Sequence, residues 1–188
     1  MSIESNKNLA GIGSLLIAIG SFTGVLTIVG AILLMIGLKG LADYYKDNSI
    51  YQDALYAIIF LIIGGIVGIA LLGLLFATGF AFIFEFAIFA ALGTVAAVVI
   101  LFVFYLLAAI YIKKSLNTLA QKTGEGMFNT AGTLFLVGAI LTIVLVGLIL
   151  VFVAWLLATV AFFSMKTYQQ PMGQQPAYQP PAPPPPPP

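Results

Sequence analysis

The residue best placed to do chemistry is Glu85, the only ionisable side chain other than tyrosine between Asp53 and Lys113. A carboxylate within a membrane is a candidate proton relay or cation site, because such a charge needs a partner or a water path. No second carboxylate, lysine or histidine stands in that apolar run to complete a relay. An alternative reading leaves Glu85 just past Thr78-Gly79, hydrated at the membrane surface. Other carriers of chemistry are scarce. The chain has no histidine and no cysteine, which removes the commonest metal ligand, the usual general base, thiolate sites and disulfides. No Ser/His/Asp, Cys/His or paired-carboxylate set can be assembled. The expectation is therefore a protein that is not an enzyme, with no catalytic, metal or cofactor residues.

Weaker signals have plain structural alternatives. Gly64 and Gly68 lie one helical turn apart in Gly64-Gly65-Ile66-Val67-Gly68. Small residues at that spacing let two helices pack closely, and a glycine-lined cleft is the sharper alternative. Gly20 with Gly30, and Gly138 with Gly147, give similar faces. Hydroxyls at Ser14, Ser21, Thr27, Thr94, Thr133 and Thr159 could line a pore, but such groups more often bond to their own helix or across helices. No glycine pattern matches a phosphate-binding loop. Seven lysines, no arginine and a net charge of +1 give no basic cluster, so no nucleic-acid partner is expected.

All ten prolines fall between Pro171 and Pro188. This divides the chain into a body, residues 1–166, and a proline/glutamine-rich tail, residues 167–188, expected to be disordered. The terminal run populates polyproline II, which is already stiff and suits aromatic-lined grooves. Pro180, Pro181, Pro183, Pro184 and Pro185 are the candidate partner-binding residues, and Pro180 with Pro183 forms a minimal P-x-x-P. A plain spacer is the alternative, since composition alone specifies little.

The body is apolar almost throughout. Hydrophobic residues make up 62% of the chain and charged residues 7%, against roughly 25% charged in a soluble domain. An all-α, polytopic membrane protein follows, in contact with the lipid bilayer of the cell membrane. Ala18-Ile19-Gly20 resembles a signal cleavage site, but Glu4 and Lys7 cancel ahead of it and apolar sequence continues beyond, so retention is expected.

Four apolar blocks can be read: Leu9 to Leu38, Ala54 to Ala77, Phe86 to Ile112, and Thr130 to Met165. As single helices the first and last would be ~45 and ~54 Å long, against a hydrocarbon core of ~30 Å. Folding each into a hairpin resolves the excess, with turns at Phe22-Thr23-Gly24 and between Thr142 and Gly147. Four spans would divide the lysines between the two sides. Two long central helices flanked by short terminal hairpins, six helical segments in all, put all seven on one side, which is then cytoplasmic together with both termini. Each arm of the first hairpin has only ~21 Å of apolar length, so it either reaches into the headgroups or dips in as a re-entrant pair.

Tyrosines flank the first polar loop and phenylalanines gather toward the opposite end, as interfacial rings would. Ser49-Ile50-Tyr51-Gln52 fits a capping box. KKSLNTLAQKTGEGMFNT reads as a short interfacial helix to Lys122, a turn at Gly124-Glu125-Gly126, and a cap at Asn129 or Thr130.

The strings LAGIGSLLIAIGSF, LLMIGLKGLADYYKDNSIYQDALY and AGTLFLVGAILTIVLVGLILVFVAWLLATVAFFSM, spread over roughly residues 8 to 166, resemble domain-of-unknown-function family 996. That resemblance implies a small, largely archaeal multi-span protein with no assigned activity and no functional residues to carry over. The function expected is a membrane scaffold or adaptor with a partner-binding tail, possible as a homo-oligomer. The alternative is a small transporter or channel subunit using Glu85 and the glycine-lined faces.

Overall fold

The computed structural model describes residues 2–21, 24–81 and 87–166. These form six α-helices: α1 (Ile3–Gly20), α2 (Val25–Tyr45), α3 (Ser49–Ala81), α4 (Ala87–Thr123), α5 (Gly126–Leu141) and α6 (Val146–Ser164), with a short 3-10 turn at Thr142–Val144. The helices pair as three consecutive hairpins, and contacts of α2 with α3, α4 with α5, and α1 with α6 join the hairpins into a ring. Five of them, all but α1, are long and apolar enough to cross a membrane by length and composition. The protein is a multi-pass helical membrane protein whose helices meet the lipid bilayer.

Each break has a local cause. In α1, Ser2 caps the first turn by accepting from the Ser5 amide at 3.2 Å, and Glu4 pairs with Lys7 at 3.0 Å. The first hairpin reverses through Gly24, whose φ of +74° lies in the region that favours glycine. The second break needs no glycine: Leu145 takes φ +64° immediately before α6. At the end of α2, Lys46 turns left-handed and the Asp47 amide reaches back to the Ala42 carbonyl at 3.0 Å, which satisfies a carbonyl the helix leaves open.

Three local expectations are corrected. Ser49 is the first residue of α3, not a cap upon it: its amide and hydroxyl donate to Asp47 Oδ1 at 3.2 and 2.6 Å. The segment after Ile112 is no separate interfacial helix, because α4 runs unbroken from Ala87 to Thr123. Glu125 caps α5 by accepting from the Met127 amide, ahead of the expected Asn129 or Thr130.

Where the hairpins close, glycine sets the distance. A Cβ on Gly13 of α1 would lie 2.7 Å from the Gly30 carbonyl oxygen, and one on Gly30 would lie 2.6 Å from the Gly13 carbonyl oxygen. The two backbones therefore touch with no room for a side chain. A Cβ on Gly147 of α6 would collide in the same way with the Gly138 carbonyl of α5. Between hairpins, a Cβ at Gly11 would meet the Phe163 ring at 2.9 Å. The core these contacts enclose draws on all six helices, with Leu41, Ile50, Leu119, Phe128 and Phe162 fully buried.

Adding a side chain to Gly13 must push α1 and α2 apart. Gly13→Val is expected to destabilise the folded protein in detergent by about 1–3 kcal/mol, the usual range for overpacking. Gly65→Ala, where nothing lies within 4 Å of the added carbon, should stay within about 0.5 kcal/mol. Unfolding followed by the fluorescence of the single tryptophan, Trp155, compares the two.

Candidate functional site

The polar residues collect where the helices begin and end. Alternating helix direction brings the starts of α1, α3 and α5 and the ends of α2, α4 and α6 to one end of the ring, and all seven lysines lie at or near it. Three long-range contacts tie this end together. Lys7 Nζ donates to the Met165 carbonyl at 3.3 Å and so fastens the end of α6 to the start of α1. Lys122 Nζ meets Asp47 at 3.1 Å, joining the end of α4 to the α2–α3 turn. Ser115, fully buried on α4, donates to the Ile50 carbonyl at 2.7 Å. Met165 is itself buried, so residue 166 leaves the body from a fixed point.

Aromatic rings run inward from the same end. Tyr56 and Tyr111 sit 5.4 Å apart, Phe60 stacks on Tyr111 at 5.5 Å, and Lys114 Nζ lies 4.9 Å over the Tyr111 ring. Such a cation over a ring face is attracted by the ring quadrupole. Beside α1, a cleft of about 390 Å³ is lined by Asn6, Lys39, Gly40, Asp43 and Tyr44. Asn6 is buried against Gly40.

A second opening lies within the apolar region. A groove of about 480 Å³ runs between α3, α4 and the 3-10 turn, lined by Phe60, Gly64, Leu101, Tyr105 and Thr142 among others. Its lining carries the Tyr105 and Thr142 hydroxyls, the latter donating to the Gly138 carbonyl at 2.8 Å. A smaller cavity of about 100 Å³, almost wholly apolar, sits at the centre of the ring near Trp155 and Ser115.

The sequence candidates separate into described and undescribed residues. Gly64 and Gly68 face α4, where added Cβ atoms would lie 2.9 Å from Phe104 Cβ and 2.7 Å from Leu101 Cδ2. Glu85 lies outside the described residues, as do Pro180, Pro181, Pro183, Pro184 and Pro185 and the rest of the tail. Ser21 bonds back to the Ile17 carbonyl and Thr159 to the Trp155 carbonyl. Ser14 bonds to the Gly11 carbonyl and also meets Thr159 Oγ1 at 2.9 Å, linking the first helix to the last. Nothing in one sequence pairs residues so far apart. Among the described residues, no three of His, Cys, Asp or Glu gather as a metal site would require.

The Asp47 cluster gives a measurable electrostatic signature. The Ser49 hydroxyl first, and Lys122 second, hold the Asp47 carboxyl below its ordinary 3.8, against the opposing effect of burial. A carboxylate depressed in the folded state stabilises fully above its unfolded pKa, and loses that contribution as pH falls through the folded value. The stability difference between the natural protein and Asp47→Asn should thus be flat near neutrality and shrink below about pH 4. Because both partners are part-exposed, added salt should also diminish it. Thermal unfolding of the two proteins across that pH range supplies the comparison.

The comparisons with known proteins give one family and one relative. A protein family described as of unknown function, DUF996, matches residues 26–156. The uncharacterized protein MJ1644 of Methanocaldococcus jannaschii is 28% identical over 172 residues, covering 88% of this chain and 94% of the relative. No solved structure matches. The chain belongs to the DUF996 family.

Proposed function

We propose that this member of the DUF996 family is a non-enzymatic membrane scaffold or adaptor, whose rigid polar face and proline-rich tail recruit a protein partner. The observation that carries the reading is the root of the tail. Lys7 holds the Met165 carbonyl and Met165 is buried, so a tail beginning at Thr167 is tethered beside the ordered, lysine-bearing face. A polyproline segment joined through the chain to such a point would keep a high local concentration near anything the face binds. The lysine excess favours a cytoplasmic position for this face and for both termini. The reading takes no account of a cofactor, and a homo-oligomer is compatible with it.

The groove beside Gly64 and Tyr105 favours a second reading, a small transporter or channel subunit, since pockets of ~300–1,000 Å³ with few polar groups are typical of small-molecule sites. Against it, the glycine faces at Gly64 and Gly68 are occupied by Phe104 and Leu101. That leaves the groove, and Glu85 from the sequence, as its support.

Two experiments divide the readings. Co-purification from native membranes, comparing the full chain with one ending at Lys166, should lose a specific partner along with the tail. An unchanged partner set would remove the adaptor. Glu85→Gln in proteoliposomes should leave ion and solute flux unchanged, whereas altered flux would establish transport.

A further inference from the structure

The three hairpins differ greatly in length. Helices α3 and α4 have 33 and 37 residues, whereas α1, α2, α5 and α6 have 18, 21, 16 and 19. All three hairpins open at the lysine-bearing end, so the excess of the central one must project from the opposite end.

Contacts locate where the short hairpins stop. Thr142 and Ile143, at the α5–α6 turn, share a groove with Phe60, Gly64 and Tyr105. Thr27, in the first turn of α2, shares the central cavity with Ile58 and Leu61. Both turns therefore lie near the level of residues 61–65 of α3. From Ala54, the first residue past Asp53, to that level is about 12–18 Å of helix, at most a little over half of a ~30 Å hydrocarbon core. Residues 66–81 then continue α3 for about 24 Å more.

The projecting stem is bare. Ile66, Ile69, Leu72 and Phe76 on α3 are 53–75% exposed, and Leu92 and Val95 on α4 are both 62% exposed. Its buried positions, such as Gly68, face the other arm of the stem. If the short hairpins crossed the whole bilayer, this apolar stem would stand in water beyond it, where each such side chain is unfavourable. With the short turns near mid-plane, the stem lies in hydrocarbon. The full apolar length from Ala54 to Ala81, about 42 Å, then matches the ~40–45 Å of a bilayer with its headgroups.

We propose that the α1–α2 and α5–α6 hairpins are re-entrant, ending near the bilayer mid-plane, and that the α3–α4 hairpin alone crosses, its stem covered by lipid tails. The occupant is lipid because the described stem surface from Ile66 to Phe76 and Leu92 to Ile100 is aliphatic or aromatic apart from glycine, alanine and Thr94, with no charged residue. The protein is thus a wedge: six helices stand in the lysine-side leaflet and two in the other, about a threefold difference in helix cross-section. Such a shape displaces lipid unequally between leaflets and suits a membrane bent toward the lysine side.

Because the chain lacks cysteine, single nitroxide labels can be placed without background. Ser21→Cys and Ile143→Cys probe the two short turns, Ile69→Cys the stem, and Lys46→Cys the polar end, each in the full chain in liposomes. Oxygen and nickel-chelate relaxation then gives depth. The proposal expects Ser21 and Ile143 labels near mid-plane, Ile69 deeper still from the lysine side and open to oxygen, and Lys46 in water. Impermeant maleimide should react with neither turn from either side. Headgroup depth or aqueous reactivity at both turns would overturn the re-entrant placement. Dipolar broadening at Ile69 from a second label would overturn the lipid-covered stem and assign that surface to another copy of the chain.

Discussion

Lipid tails are as apolar as leucine, so burying leucine against leucine gives helices no reason to associate within a bilayer; close packing and hydrogen bonds must serve instead. This protein meets that constraint with backbone-to-backbone contact at glycine. Gly13 against Gly30, and Gly138 against Gly147, leave no space for a Cβ, so each terminal hairpin closes tightly enough for dispersion contacts to accumulate along its length. The central hairpin is built on a looser rule. Gly64 and Gly68 receive side chains of α4 instead of its backbone, and the two long helices can stand with lipid on their outer faces.

The remaining features follow from tight outer hairpins packed around a long central one. Gly11 accepts the Phe163 ring, bringing α1 to α6 and setting Ser14 against Thr159. A hydrogen bond of this kind in a membrane averages only about 0.6 kcal/mol, so it selects the register of α1 on α6 more than it holds them together. The same approach delivers Lys7 to the Met165 carbonyl and fixes where the tail departs. The short outer helices leave described side chains of α3 and α4, such as Ile69 and Leu92, exposed. The closure of the hairpins and the meeting of α1 with α6 thus have a common origin in where glycine lies.

Much of this was legible in the residues, for reasons that can be stated. The outer apolar blocks were too long for one crossing, and the six-segment arrangement alone gathered all seven lysines; six helices follow, with breaks at Gly24 and between Thr142 and Val146. The extent of α4 was not legible, because the polar character of Lys113 to Thr123 suggests an interface while containing no residue that breaks a helix. Leu145 carries the left-handed turn before α6 without any glycine or asparagine to announce it. Asp47 and Glu125 act as caps two to five residues before the positions that local motifs favour. Contacts such as Ser14 with Thr159 depend on ring closure, which no local pattern encodes.

Ring closure is the central claim, since the polar face and the root of the tail both rest on α1 meeting α6. Its most direct test is disulfide trapping of Ser14→Cys with Thr159→Cys, whose hydroxyl oxygens stand 2.9 Å apart, in a chain with no other cysteine. Mild oxidation in native membranes should join the two within one chain, seen by mass spectrometry as a single crosslinked peptide pair. Free thiols after oxidation, or crosslinks only between chains, would contradict the account.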